Sequence, residues 1–180
     1  MATICLYGAA REDVDKIYIT ETEKLGRLIA KHGHKMIYGA GATGLMGAAA
    51  RGMTAEDGWI IGVTPHFMHK FEPVYPCTET IETKSMSARK NVMETQADAF
   101  IVVPGGIGTF DEFFQILTLK ELGQLENKPI ILFNINGYYN ELMEMLRASD
   151  KRGFLRPTAL KMFTLCQSPE EAIDEIERQL

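Results

Sequence analysis

The stretch from Ala99 to Glu112 limits most tightly what this chain can fold into; it reads A-F-I-V-V-P-G-G-I-G-T-F-D-E. Phe100, Ile101, Val102 and Val103 form an apolar, largely β-branched run that predicts a fully buried strand, broken at Pro104-Gly105-Gly106. A helix is expected to start at once, with Thr109 as its N-cap and Glu112 at the capping-box spacing. Strand, glycine loop and helix N-terminus in succession make an anion site. Gly105, Gly106 and Gly108 let amide groups approach a ligand, and the helix end adds roughly half a positive charge. A plain turn with an ordinary cap needs less permissive backbone than three glycines supply.

The same unit recurs along the chain. Thr3 to Tyr7 predicts a first strand ending at Gly8-Ala9-Ala10, followed by a charged loop, Arg11 to Lys16, placed to meet a ligand. Leu25, Leu28 and Ile29 give helical spacing between Tyr18 and His32, and Gly33 stops that helix. Met36-Ile37-Tyr38 is a second strand, with Gly39-Ala40-Gly41-Ala42-Thr43-Gly44 and a helix through Leu45, Met46, Ala49 and Ala50 behind it. That loop fits G-x-G-x-x-G. A dinucleotide site also wants an acidic residue about 20 positions on, at the end of the next strand, and here Trp59 to Val63 runs into Thr64-Pro65. Close packing of helix on strand, or approach to a smaller ligand, is the better expectation.

Pro65 to Thr78 is too irregular for an element and too apolar for a linker, which suggests a pocket wall. Within it, His66 and His69 lack a neighbouring Cys or carboxylate to complete a ligand set, so they are expected to be structural and no metal site is assigned. Thr80 to Thr83 predicts a strand and Ser85 to Gln96 a helix, whose early turns carry Arg89 and Lys90 where the macrodipole disfavours cations. Surface acids or a bound phosphate must compensate them. Asp111 and Glu112 stand at the equivalent place in the next helix, where carboxylates suit the dipole. That helix, Thr109 to Leu122, sets Phe110, Phe113, Phe114 and Leu117 on one face and Ile116 and Leu119 elsewhere. Two apolar faces imply two partners, the sheet and a second subunit, hence a homodimer. Pro129 to Phe133 and Met162 to Leu165 predict strands, Tyr138 to Lys151 a helix stopped at Gly153, and Ser168-Pro169-Glu170-Glu171 opens a C-terminal helix.

About seven strands alternate with helices, so residues 1–180 are expected to form one α/β domain. Its core should be a doubly wound, mostly parallel sheet, Rossmann-like, with helices on both faces and a ligand beyond the carboxyl ends of the strands. With a net charge of −5 and no basic cluster longer than Arg89-Lys90, a nucleic-acid polymer is an unsuitable partner. Cys5, Cys77 and Cys166 are odd in number and widely spaced, as suits reduced thiols in a cytoplasm. No basic, apolar leader precedes the first strand and no apolar run approaches a membrane span, so neither a signal peptide nor a transmembrane segment is expected.

With Pro104-Gly105-Gly106-Ile107-Gly108-Thr109-Phe110-Asp111-Glu112 preceded by Arg89-Lys90, the chain resembles the LOG (Lonely Guy) family over nearly its whole length. Those Rossmann-like phosphoribohydrolases release cytokinin bases from riboside 5′-monophosphates, and related members cleave AMP. The family's P-G-G-x-G-T-x-x-E signature is complete. Its M-H-x-R-K stretch appears as Met86-Ser87-Ala88-Arg89-Lys90, and its tyrosine-glycine loop as Tyr38 to Gly47. The resemblance implies that Arg89 and Glu112 are the catalytic pair. It further implies that Lys90, Gly105, Gly106, Gly108 and Thr109 bind substrate, with Glu72 and Thr118 as further contacts. Three departures stand out: Ser87 for histidine, Gly8-Ala9-Ala10 for glycine-serine-serine, and Leu119 for tryptophan.

The chemistry fits these residue types. Breaking an N-glycosidic bond passes through an oxocarbenium-like ribosyl cation, which a carboxylate can stabilise while it orients or deprotonates water. Glu112 is placed for that role, and the amides from Gly105 through Ile107 to Thr109 for the 5′-phosphate. Arg89 and Lys90 would offset the repulsion between that phosphate and the carboxylates of Asp111 and Glu112. The expected reaction is hydrolysis of a nucleoside 5′-monophosphate to free base and ribose 5-phosphate, with no metal or organic cofactor. The base pocket is expected to involve Phe67, Met68 and Met86. Two other classes stay open: a nucleotide carrier that binds without cleaving, and a decarboxylase, which would need a pyridoxal phosphate Schiff-base lysine.

Overall fold

Among the described residues seven short strands hydrogen-bond in parallel into one sheet, in the order β4-β3-β2-β1-β5-β6-β7. The computed structural model describes residues 1–125 and 128–180. Along the chain these are β1 (Thr3–Tyr7), α1 (Lys16–Lys31), β2 (Lys35–Tyr38), α2 (Gly44–Thr54), β3 (Ile60–Pro65), β4 (Glu79–Thr83) and α3 (Met86–Gln96). There follow β5 (Ala99–Val102), α4 (Ile107–Glu121), β6 (Ile130–Phe133), α5 (Asn140–Lys151), β7 (Thr164–Cys166) and α6 (Pro169–Gln179). A 3₁₀ helix, His66–Lys70, follows β3 directly. The expected α/β architecture is present.

Alternation along each strand divides the core in two. Ile4 and Leu6 of β1 and Ile101 of β5 face one layer with Leu25 of α1, Ala49 of α2 and Ile173 of α6. Cys5, Tyr7, Phe100 and Val102 face the other, with Met93 of α3, Phe113 and Ile116 of α4 and Leu146 of α5. The strands are buried on both sides, which is why they read as continuous apolar runs. Cys5, Cys77 and Cys166 form no disulfide. Among the described residues no helix is long and apolar enough to cross a membrane.

Local chemistry explains most helix starts. Asp15 caps α1 by accepting the Ile17 amide (3.2 Å), so that helix begins before the apolar periodicity does. Ser85 caps α3 through the Ala88 amide (3.1 Å), and Ser168 caps α6 through the Glu171 amide (3.1 Å), with Pro169 in its first turn. In α4 the sequence expectation fails. Its N-cap is Gly106, and Thr109 lies inside the first turn, so Thr109 and Glu112 form no capping box. Phe110 is the first α4 residue whose amide is bonded to the loop, at the Gly106 carbonyl (3.0 Å). The buried stripe of α4 is Thr109, Glu112, Phe113 and Ile116, whereas Phe110, Phe114 and Leu117 are only half-buried. At the chain's end, the strand expected from Met162 starts at Thr164, because Ala159–Lys161 is a 3₁₀ turn.

Strand order reverses between β1 and β5: β2, β3 and β4 extend one way from β1, and β5, β6 and β7 the other. Such a switch point leaves a crevice beyond the carboxyl ends of the two central strands. The loops after β1 and β5 meet there, with the Ala9 amide donating to the Pro104 carbonyl (3.1 Å).

Candidate active site

Over this switch point opens a cavity of about 330 Å³. Ala9, Ala10 and Arg11 line it from the loop after β1, Gly39 and Gly41 from that after β2, and Gly106, Gly108 and Thr109 from the start of α4. Pro65, Met68, Glu72, Pro73 and Val74 form one wall, which fulfils the expectation for the irregular segment after β3.

Arg89 and Glu112 meet at this cavity although they come from different helices. Arg89 Nη1 donates to Glu112 Oε1 (3.2 Å), and Arg89 Nε donates to the Val63 carbonyl at the end of β3 (3.2 Å). Both side chains are 10% exposed. Burial raises the Glu112 carboxyl to about 7; Arg89 opposes that rise, and neighbouring Asp111 adds to it. A carboxyl poised there can exchange a proton near neutrality. At the rim, Lys90 Nζ donates to Asp111 Oδ2 (2.8 Å), with the aspartate largely in solvent. The compensation required by Arg89 and Lys90 on α3 thus comes from the next helix.

The first turn of α4 has no side-chain cap. Helices leave their first amides without intrahelical acceptors, and here Gly106, Gly108 and Thr109 border the cavity at that end. The loop is braced from below. Tyr138 Oη donates to the Gly105 carbonyl (2.6 Å) and Tyr139 Oη to the Val103 carbonyl (2.8 Å). Sequence reasoning missed both tyrosines, which follow β6 at the same edge of the sheet.

The family described as "Possible lysine decarboxylase" matches residues 46–176 of this chain. A cytokinin riboside 5′-monophosphate phosphoribohydrolase of Rhodococcoides fascians is 36% identical over 156 residues, 86% of this chain and 78% of that protein. One of Mycobacterium tuberculosis is 33% identical over 95% of this chain and 91% of its own length. The chain belongs to the LOG family. Among solved structures, the molybdenum cofactor carrier protein of Chlamydomonas reinhardtii has the same fold, with a TM-score of 0.76 at 22% identity, covering 99% of this chain and 98% of that one.

In this LOG-family protein, the expected residues Glu72, Arg89, Lys90, Gly106, Gly108, Thr109, Asp111 and Glu112 all border the cavity. Gly105 lies just beneath, packed so tightly on Thr109 Oγ1 that a β-carbon would collide with it. Ile107 projects its side chain outward, 88% exposed, and has only its amide to offer. Thr118 does not reach the cavity of its own chain. Its hydroxyl donates to the Phe114 carbonyl (2.7 Å), and it borders a separate apolar groove with Leu117, Leu146 and Leu160. Nine residues along a helix from Thr109 put it about 14 Å away. Met68 and Met86 line the cavity as expected, Phe67 does not, and Met46 and Thr64 are added. Of the departures from the LOG pattern, Ala9 and Ala10 border the cavity, whereas Ser87 and Leu119 do not.

The glycines of the G-x-G-x-x-G loop serve packing. Gly39 sits where a β-carbon would collide with Arg89 Nη2, and Gly41 lies against Met46. His66 and His69, expected to be structural, are instead exposed on the 3₁₀ helix, where Glu82 faces both.

Proposed function

We propose that this LOG-family chain hydrolyses the N-glycosidic bond of a nucleoside 5′-monophosphate to free base and ribose 5-phosphate. The observation that carries the reading is the buried Glu112, paired with Arg89 and bordering the same cavity as the uncapped first turn of its own helix, α4. The 5′-phosphate binds the amides of that turn, with Lys90 at the rim, and this remote anchoring positions the ribose for reaction. Glu112 as carboxylate stabilises the developing ribosyl cation and takes a proton from the attacking water. Hydroxide then bonds to the anomeric carbon as the C–N bond breaks, and the departing base takes up one proton, which balances the proton Glu112 has drawn from water and regenerates the carboxylate. Arg89 favours the ionised form of Glu112 against the effect of burial and holds the carboxylate in place. The base lies against Met46, Met68 and Met86. No step needs a metal or an organic cofactor.

The names of the relatives favour a cytokinin riboside 5′-monophosphate as substrate, with AMP as the simpler member of the class. A decarboxylase would need a lysine free to form a Schiff base. Among the described residues lining the cavity the lysine is Lys90, and its ammonium is tied to Asp111. Outside the cavity, the half-buried Phe114 and Leu117 of α4 border an apolar groove, and the reading includes a homodimer formed through this face.

Incubation with AMP and with N6-isopentenyl AMP, followed by chromatography, tests the reaction. Free base and ribose 5-phosphate from either are the expected products. Saturable binding without cleavage across purine and pyrimidine monophosphates would replace the hydrolase reading with that of a carrier. Size-exclusion chromatography with light scattering tests the dimer, for which a monomer at all concentrations is the contrary result.

A further inference from the structure

His66 and His69 open and close one turn of the 3₁₀ helix after β3, and residues three apart in such a turn project from the same side. Their ring centroids are 5.6 Å apart. Parallel pairing of β3 with β4 sets Thr64 beside Glu82, which brings the Glu82 carboxylate against both imidazoles. Glu82 Oε2 lies 3.6 Å from His66 Nδ1, and Glu82 Oε1 lies 3.6 Å from His69 Nε2. One donor atom from each of the three side chains falls within 4.8 Å of the other two, the one such trio among the described residues.

At 3.6 Å neither contact is a hydrogen bond, so the carboxylate and the two rings converge without satisfying one another. Donors bonded to one tetrahedral ion at about 2.1 Å are themselves about 3.4 Å apart. Each histidine–carboxylate contact is 3.6 Å, made to separate oxygens, and the trio spans no more than 4.8 Å. A second pair of histidines shows the contrast. His32 Nδ1 and His34 Nε2 both reach Glu177 Oε1 at hydrogen-bond distance (2.9 and 3.2 Å), and His34 Nδ1 accepts the Ala2 amide (3.1 Å). That second cluster is closed by hydrogen bonds. The first is not.

We propose that His66, His69 and Glu82 form a site for a divalent transition-metal ion of the zinc class, with water completing the shell. Two imidazoles and one carboxylate suit zinc, nickel or copper, whereas magnesium and calcium prefer shells of oxygen. The His66 and Glu82 side chains are 85% and 57% exposed, so an ion reaches them directly from solvent. The site lies outside the cavity but next to its wall: Pro65 and Met68, which line the cavity, directly precede His66 and His69. A bound ion therefore clamps that wall to the edge strand β4.

Titration of the tag-free chain with zinc chloride alone, by calorimetry in a non-coordinating buffer at about pH 7.5, reads the site directly. One zinc ion per chain is expected. His66→Ala, His69→Ala and Glu82→Gln should each weaken binding by about tenfold or more, and His32→Ala should leave it unchanged. Cobalt(II) gives a second readout, a visible absorption band in the parent that is lost in His66→Ala. All three side chains are exposed, so the variants are expected to fold, with circular dichroism as the check. Absence of saturable zinc binding in the parent overturns the proposal, as does binding that survives in a His66→Ala/His69→Ala double variant.

Discussion

Gly39 and Arg89 compete for the same space: a β-carbon at residue 39 would collide with the Nη2 atom of the guanidinium. Only a glycine after β2 lets Arg89 pass close to that backbone while its Nε reaches Val63 and its Nη1 reaches Glu112. Gly39→Ala is therefore expected to displace the guanidinium and lower kcat/KM by about 10²-fold, the usual effect of a misplacement near 1 Å at a reacting centre. Steady-state release of base from AMP, with circular dichroism as the fold control, measures it. Parental turnover would detach Arg89 from the reaction.

The Glu112 carboxyl, raised by burial to about 7, ties both activity and stability to pH. In the proposed reaction the carboxylate is the working form, so kcat/KM should climb with pH to a plateau above about 7. Glu112→Gln should lower kcat by about 10² to 10⁴-fold. Stability runs the other way. The folded chain holds this proton more tightly than the unfolded one, so the contribution is complete below 4.5 and is lost as pH rises through about 7. Over that interval Glu112→Gln, which cannot ionise, should lose less Tm than the parent. Parallel Tm profiles would mean that Glu112 titrates normally.

Arg89 opposes the rise of the Glu112 carboxyl more than any other neighbour. Arg89→Ala should thus move the ascending limb of the kcat/KM profile to higher pH, besides weakening substrate binding. Residual activity with an unshifted pH profile would confine Arg89 to substrate contact.

Lys90 and Asp111 form the outer pair, and the exposed position of Asp111 makes their link worth about 0 to 1 kcal/mol in stability. Their effect is expected on KM instead. Lys90→Ala removes a charge-assisted contact to phosphate and leaves Asp111 facing the anion, so KM should rise about tenfold with a smaller change in kcat. Adding Asp111→Asn should recover part of that loss. An equal KM in the single and double variants would show that Asp111 does not face the phosphate.

The strands were legible because burial on both faces writes them as apolar runs, and the stretch from Pro104 to Glu112 supplies several of the residues that border the cavity. What the sequence concealed depends on through-space placement. Thr109 and Glu112 have the spacing of a capping box, yet the helix starts at Gly106, and that earlier start leaves amides uncapped and turns Glu112 inward. Thr118 shares a helix with the site, but the 1.5 Å rise per residue carries it to another groove. Glu82 lies in a different element from His66 and His69, and only the register of β3 with β4 brings the three together. Tyr138 and Tyr139 are likewise brought beneath the glycine loop only by the placement of β6 beside β5.

That pair of tyrosines allows loop position and stability to be separated. Tyr138 Oη holds the Gly105 carbonyl at the base of the glycine loop, whereas Tyr139 Oη holds the Val103 carbonyl within the core. Each lost hydrogen bond costs about 0.5 to 1.5 kcal/mol, with more when the acceptor left behind is buried. Tyr139 is fully buried and Tyr138 only half-buried, so Tyr139→Phe should lower Tm further than Tyr138→Phe. Activity should order them in reverse. Tyr138→Phe frees the carbonyl that fixes the loop amides and should raise KM for the nucleotide monophosphate, while Tyr139→Phe leaves that carbonyl held. Calorimetry and steady-state kinetics on both variants make the comparison, and a KM that follows Tm in each would reduce Tyr138 to a packing residue.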